Sequence, residues 1–345
     1  MSLQEQIGPY RILRKIGSGG VGVVYEAVHE AIERRVAIKI LHDEYARDTA
    51  FSSRLFNEAR AVSRIDHPGL VQISDYGRTP EGRVYLVMEL LKGESLAARQ
   101  ARFPQGMPVG DALRLTWQLA DTMSTAHARG IIHRDLKPDN VMVVADRAAE
   151  SGERTKLLDF GIAKLTDPST AVTSATLIMG SPRYMSPEQC RGGVPIDAKS
   201  DVYSLGVVLY ALLAGRVPFV SESQTEVMSQ HMFDQPPPLR SLAPKVPEPV
   251  AELVHRMLQK NKEQRPNMGQ AASELESLMV LAPPSPRRQS NIDIPVIPPP
   301  PPSPPPPVVA VERTAQMPST RTPTSAVTVA ALSEEQKRQR LRLWI

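Results

Sequence analysis

The chain has 345 residues, 41% hydrophobic and 23% charged, which places it among soluble globular proteins with room for roughly two structural units. Its single cysteine, Cys190, excludes a disulfide framework, and no stretch reads as a signal peptide or reaches the ~18 apolar residues of a membrane span. The net charge of +4 resides in residues 283–345, which hold 8 Lys+Arg against 4 Asp+Glu and leave 33 of each sign elsewhere, so the basic balance is no argument for nucleic acid and none is expected as a partner.

The first 90 residues read mainly as strands. Residues 16–24, IGSGGVGVV, hold Gly17, Gly19 and Gly22 in a G-x-G-x-x-G pattern. Glycines let backbone approach a phosphate closely and present amide donors to it. A dinucleotide-binding fold needs a helix directly after such a loop. Here the β-branched run VGVVYEAV follows, so the loop is read as a hairpin tip, with an ordinary glycine-rich turn as the alternative. No P-loop sequence occurs.

RVAIKIL is a second strand, ending in VAIK. Alternation puts Ala37 and Lys39 on one face, so if Ala37 is interior then Lys39 is too. A helical pattern follows, with Phe51, Leu55 and Val62 at spacings of four and seven. Glu58 falls on the same stripe, where a carboxylate needs a buried partner. Lys39 and Glu58 are therefore expected to pair, which would hold the lysine charged and aimed at phosphate oxygens. VYLVMELL is a third strand, and residues 89–94, ELLKGE, lead into a helical half.

Residues 111–129 are expected as one helix stopped by Gly130. Next comes IIHRDLKPDNVMVV, residues 131–144: a polar patch between two β-branched runs of the kind that form buried strands. A polar turn is the simple reading; a site whose charges are aimed by rigid flanks is the other. LLDFG puts Asp159 directly after an apolar strand, well placed to hold a divalent cation, with Asn140 offering a second oxygen ligand. Asp135 has no evident metal role and is free to accept a hydrogen bond from a substrate hydroxyl. Residues 201–214 are apolar nearly all round and stop at Gly215, as a core helix does. Further helices fit 248–260 and 268–281, and no internal repeat is found.

The glycine loop, VAIK, HRDLKPDN, DFG and SPE stand in the order of a protein kinase. The resemblance covers residues 10 to 280, and within the family it is to bacterial eukaryotic-like (Hanks-type) Ser/Thr kinases: the lysine of HRDLK and the sequence GSPRYMSPEQ are the marks. It implies an α+β, two-lobed kinase fold, with a strand-rich N-lobe over 10–89, a hinge over 89–93 and a helical C-lobe over 94–281. Residues 1–9 would be an N-terminal extension. The activity implied is transfer of the γ-phosphate of Mg-ATP (Mn²⁺ substituting) to protein Ser/Thr hydroxyls.

Carried over residue by residue, the resemblance makes Asp135 the catalytic base and Lys137 the group that neutralises the transferring phosphate. Asn140 and Asp159 become the metal ligands, and Lys39 the α/β-phosphate contact supported by Glu58. The nucleotide loop is Ile16, Gly17, Ser18, Gly19, Gly20, Val21, Gly22, Val23 and Val24. Met88 is the gatekeeper, Glu89 and Leu91 give hinge backbone groups to adenine, and Ile16, Val24, Ala37 and Met142 sandwich the base. Glu188 is matched to Arg265 as a structural pair, and Asp201 to a brace under the HRD backbone. Ser181 and Ser186 depart from the usual threonine and alanine without arguing for a dead enzyme, and Ser181 can still reach the catalytic aspartate. Arg134 implies an activation loop read through its phosphate, so autophosphorylation is expected among Thr170, Thr173, Ser174 and Thr176, with a transient homodimer to carry it out; a flexible polar loop is the alternative. The rivals are a pseudokinase scaffold, disfavoured by the complete set Lys39, Glu58, Asp135, Asn140 and Asp159, and a small-molecule kinase, disfavoured by the long hydroxyl-rich segment before SPE.

Residues 283–345 hold 15 of the 33 prolines and no glycine, with PPPPPSPPPP at 298–307. Such a run favours polyproline II and is read as a disordered tail from residue 282 onward. Ser285, Ser303 and Thr322, each followed by proline, and Ser290 of RRQS are phosphosites or docking points for proline-binding partners, or inert spacer. The final EEQKRQRLRLWI is a short amphipathic helix whose basic residues touch an anionic membrane surface, or marks a longer protein cut short. The expected location is cytoplasmic.

Overall fold

A computed structural model describes residues 6–159 and 182–282, all within the first of the two units into which the chain divides, Met1–Gln289. The proline-rich tail and Thr170, Thr173, Ser174, Thr176 and Ser181 lie outside the described residues.

The N-terminal half is built on an antiparallel sheet. It runs β1 (Gln6–Ile7), β2 (Tyr10–Ser18), β3 (Gly22–His29) and β4 (Arg34–Leu41), then, after helices α1 (Asp43–Arg47) and α2 (Thr49–Ser63), β5 (Ile73–Arg78) and β6 (Val84–Glu89). The strand order is β1-β2-β3-β4-β6-β5. The glycine-rich segment is the hairpin tip between β2 and β3, as its β-branched flank implied. Gly22 is required there, because a Cβ on it would lie 2.3 Å from the carbonyl oxygen of Ile40 on the next strand. The α2 helix starts where the Asp48 carboxylate accepts the Phe51 amide at 2.9 Å. Its stripe of Phe51, Leu55, Ala59 and Val62 is buried.

The second half opens with a small sheet of β7 (Gly93–Ser95), β8 (Val141–Ala145) and β9 (Glu153–Leu157), after α3 (Leu96–Ala101) and α4 (Val109–His127). It continues through α5 (Pro187–Arg191), α6 (Ala198–Ala214), α7 (Gln224–Phe233), α8 (Leu239–Leu242), α9 (Glu248–Met257) and α10 (Met268–Leu278). The α6 helix is buried from Ser200 to Leu213. It begins three residues before the apolar run because Asp197 accepts the Lys199 amide at 2.9 Å and caps it. It ends at Gly215, whose φ of +75° and whose Cβ position, 2.3 Å from the Pro104 carbonyl, no other residue tolerates. The helix predicted over 268–281 tightens into a 3₁₀ turn after Leu278. None of the helices among the described residues is long and apolar enough to cross a membrane.

One expectation fails locally. Val141–Ala145 is a strand, but Ile131 and Ile132 are irregular backbone. The amides just after them, on His133 and Arg134, are taken by the Asp201 carboxylate and are not available to a neighbouring strand.

Candidate active site

The polar patch is a loop held from below. Asp201, 1% exposed at the start of α6, accepts the amides of His133 and Arg134, each at 2.8 Å, and meets His127 Nε2 at 2.8 Å. Arg134 sits at φ +64°, a conformation that costs a non-glycine residue about 1 kcal/mol or more and is held by these bonds. His133, fully buried, accepts the Asp135 amide at Nδ1 (3.2 Å) and donates from Nε2 to the Leu158 carbonyl (2.9 Å). Burial lowers its pKa, so the ring stays neutral and ties the loop to the strand end before Asp159.

Three side chains converge on this brace. Asp135 Oδ2 lies 2.9 Å from Lys137 Nζ and 3.0 Å from Asn140 Nδ2. Asn140 Nδ2 also donates to the Asp135 carbonyl at 2.8 Å. That leaves Asn140 Oδ1 without a hydrogen bond among the described residues, as a metal ligand requires. Asp159 stands beside the loop because the Leu158 amide donates to the Asn140 carbonyl at 2.8 Å. No group of three or more His, Cys, Asp or Glu among the described residues encloses a metal by itself. A two-oxygen site completed by phosphate oxygens is what suits Mg²⁺.

The expected pairing of Lys39 with Glu58 is not formed. Lys39 Nζ instead contacts Asp159 Oδ2 at 2.8 Å. Glu58 Oε2 is buried with no hydrogen-bond partner among the described residues, and the Arg134 charge acts on it from a distance. Glu58, Asp159 and Met88 line one cavity of about 20 Å³, so the two carboxylates that compete for Lys39 face the same gap. Desolvation pushes the Glu58 carboxyl up to about 7, against a lesser opposing pull from Arg134. A carboxyl raised in the folded state is fully compatible with folding below its unfolded pKa of about 4.3 and becomes a liability as pH rises through 7. Glu58→Gln should therefore stabilise the protein by about 3 kcal/mol more at pH 8 than at pH 4.5. Denaturant melts at the two pH values check this; an equal effect at both refutes it.

The adenine set is partly assembled. Ala37 and Met88 are cross-strand partners in one apolar cluster with Val24 and Leu91. Ile16 is 40% exposed on β2, and Met142 lies on β8, paired with Ser95. The loop tip is closed by Gly19 N to Gly22 O at 2.9 Å, and His42 Nε2 contacts the Gly19 carbonyl at 3.2 Å. Glu89 does more than its backbone role implied: its carboxylate accepts Lys156 Nζ at 2.7 Å and the Gln72 amide at 2.8 Å. Lys156 is not legible in the sequence, because its partner is 67 residues away and alternation in β9 puts it on the face opposite buried Thr155 and Leu157. Glu188 and Arg265 form a bidentate pair at 2.7 and 2.9 Å. Gln189 Nε2, also unforeseen, reaches the Arg134 carbonyl at 2.7 Å.

Comparison with known proteins agrees with this geometry. The model of the protein kinase domain matches residues 10–275. The chain is 41% identical over 279 residues to the serine/threonine-protein kinase pkn2 of Myxococcus xanthus, covering 80% of this chain and 32% of that protein. It is 40% identical over 266 residues to PknA of Mycobacterium tuberculosis, covering 76% of this chain and 59% of that protein. The crystal structure of the Mycobacterium tuberculosis PknI kinase domain superposes with a TM-score of 0.63 at 26% identity, over 80% of this chain and 99% of that one. The chain thus spans less than two thirds of the curated relatives it matches. With the two-lobed architecture and the braced HRD loop in place, the chain belongs to the protein kinase family, among its bacterial eukaryotic-like (Hanks-type) serine/threonine members.

Proposed function

We propose that this chain transfers the γ-phosphate of ATP to Ser/Thr hydroxyls of proteins. The observation that carries the reading is the convergence of Lys137 and Asn140 on Asp135 Oδ2, at 2.9 and 3.0 Å. Asp135 is oriented within its own loop by these two donors, and its role is to accept the hydrogen bond of the incoming hydroxyl and align it. Lys137 offsets charge on the phosphoryl oxygens in flight. Asn140 and Asp159 would hold Mg²⁺, with Mn²⁺ a substitute; bound there, the metal neutralises charge on the phosphates. Lys39 leaves Asp159 for the α/β-phosphates and Glu58, which frees Asp159 for the metal and ionises the buried carboxyl. Gly17, Ser18, Gly19, Gly20, Val21, Gly22 and Val23 cover the phosphates, and Val24, Ala37, Met88, Leu91, Ile16 and Met142 enclose the base.

The catalytic unit is taken as residues 10–281, with residues 1–9 before it and 282–345 after it. Arg134 reads phosphate on Thr173, Ser174 or Thr176, placed there by a second copy in passing encounter. The proline-rich tail recruits partners. Location is cytoplasmic, with the basic residues 337–342 available to an anionic membrane. A scaffold without catalysis finds no support, since no member of the transfer set is missing.

The test is incorporation of ³²P from γ-labelled ATP into casein, followed by phosphoamino-acid analysis. Phosphoserine and phosphothreonine are expected, lost in Asp135→Asn. Phosphotyrosine, or equal counts from both proteins, refutes the reading.

A further inference from the structure

The residue that opens α1 does not cap it with its side chain. His42 stands at the N-cap position, yet its ring makes no bond to the helix, where serine, threonine, aspartate or asparagine would offer an oxygen to the free amides. The ring turns instead to the tip of the glycine-rich hairpin, and Nε2 lies 3.2 Å from the Gly19 carbonyl. A carbonyl oxygen only accepts, so Nε2 is the donor. The His42 amide donates to the Val21 carbonyl of the same tip at 2.9 Å, and the His42 carbonyl accepts the amides of Tyr45 and Ala46, each at 3.0 Å. One residue therefore starts the helix with its carbonyl and holds two peptide planes of the hairpin with its two donors.

The anchor behind it is firm. The α1 helix has five residues, too few to be stable alone, but Ala46 is 3% exposed in a cluster with Leu41, Phe51, Leu55 and Val84. The Ala46 carbonyl accepts Arg78 from β5 at 2.9 Å, and the rings of Tyr45 and Phe51 meet at 5.0 Å. Val21 of the hairpin tip packs against the same cluster. The tip is thus docked by one apolar side chain and two hydrogen bonds, whereas glycines by themselves do little to limit a turn.

The ring bond also sets a direction. In a trans peptide the C=O and the N–H that follows it point opposite ways, so a Gly19 carbonyl turned to His42 sends the Gly20 amide away from α1. The Gly19 amide is already engaged by the Gly22 carbonyl at 2.9 Å. The Gly20 amide has no hydrogen-bond partner among the described residues, and Gly20 is exposed. We propose that His42 is a positioning residue for the nucleotide: by fixing the 19–20 peptide it holds the Gly20 amide ready for a phosphate oxygen, and so favours ATP and ADP over adenosine. This rests on the ATP-dependent reading above and adds to it a residue outside the hairpin that presets the hairpin's tip.

The test is calorimetric titration of Mg-ATP, Mg-ADP and adenosine into the wild type, His42→Phe and His42→Gln. His42→Phe keeps a ring and the main-chain bond to Val21 and removes the side-chain donor. It should weaken ATP and ADP about fivefold, the worth of one hydrogen bond, and leave adenosine within about twofold. His42→Gln puts an amide nitrogen at similar reach and should bring ATP binding back to within about twofold of the wild type. A merely structural role would weaken all three ligands together and would not be rescued by glutamine. Equal ATP affinity in His42→Phe and the wild type, an equal loss for adenosine, or no rescue by His42→Gln overturns the proposal. Transfer to casein by the wild type is measured in parallel. No transfer, with nucleotide selectivity altered in His42→Phe as expected, overturns the transferase reading and leaves the role of His42 standing; transfer with unaltered selectivity does the reverse.

Discussion

Asp135→Asn should lower phosphoryl transfer roughly 10³-fold, with ATP binding unchanged within about threefold. The substitution is isosteric, so the loop's brace on Asp201 is untouched. Two things change at the oxygen that matters. The group loses its ability to accept the hydroxyl proton, which positioned bases supply at 10²–10⁴-fold. Its new amide also cannot serve both donors and the hydroxyl together, because Oδ2 accepts from Lys137 and Asn140 and an amide has a single acceptor oxygen. If the amide nitrogen takes that place it faces two donors; if the oxygen does, the nitrogen faces the hydroxyl. Either arrangement misorients the acceptor. Single-turnover rates with labelled ATP, beside nucleotide titration, separate chemistry from binding. A kcat within tenfold of wild type would remove Asp135 from the base role.

The parts of this protein that were legible in the sequence are those set by near neighbours. The hairpin at Gly17–Gly22 followed from glycines next to β-branched residues, and the helix ending at Gly215 from an apolar run meeting a residue that tolerates φ > 0. The loop motif was legible because its residues lie within eight positions. Partners across the fold were less so. Lys39 and Glu58 were matched as two charges on buried faces, and both are indeed turned inward. Yet which carboxylate holds Lys39 depends on where Asp159 stands, and that is set by the His133 and Asn140 bonds to residue 158. The Lys156–Glu89 latch and the bonds of His231 with Tyr203 and with the Arg183 carbonyl join residues 28 or more apart, each by a single bond. A lone lysine in a strand and a lone histidine in a helix leave no periodic mark, so only the tertiary structure reveals them.

The largest stability effect should come from Arg265→Met, at about 3–5 kcal/mol. Its side chain is fully buried and all five N–H donors are used: two on Glu188, one each on the carbonyls of Gln259 (2.7 Å), Lys199 (3.0 Å) and Lys260 (3.2 Å). The guanidinium also lies over the Tyr203 ring at 4.9 Å. Burial alone would raise the Glu188 carboxyl, but the hydrogen bonds and charge of Arg265, with Ser200, hold it down at about 2. A depressed carboxyl contributes stability above its unfolded pKa of about 4.3 and loses it as pH falls toward 2. The wild type should therefore shed roughly 3 kcal/mol over that acid window, and Arg265→Met, having no pair to lose, should not. Arg265→Lys should rescue little, since one ammonium cannot replace a fork that serves five acceptors. Urea melts at pH 7 and pH 3 measure both effects; a loss under 1 kcal/mol at pH 7, or an unchanged acid slope, would show that the pair is not what holds Glu188. Because Glu188 and Gln189 are adjacent on α5, and Gln189 grips the Arg134 carbonyl, a folded Arg265→Met population should also lose transfer activity, although the substituted residue touches neither nucleotide nor acceptor.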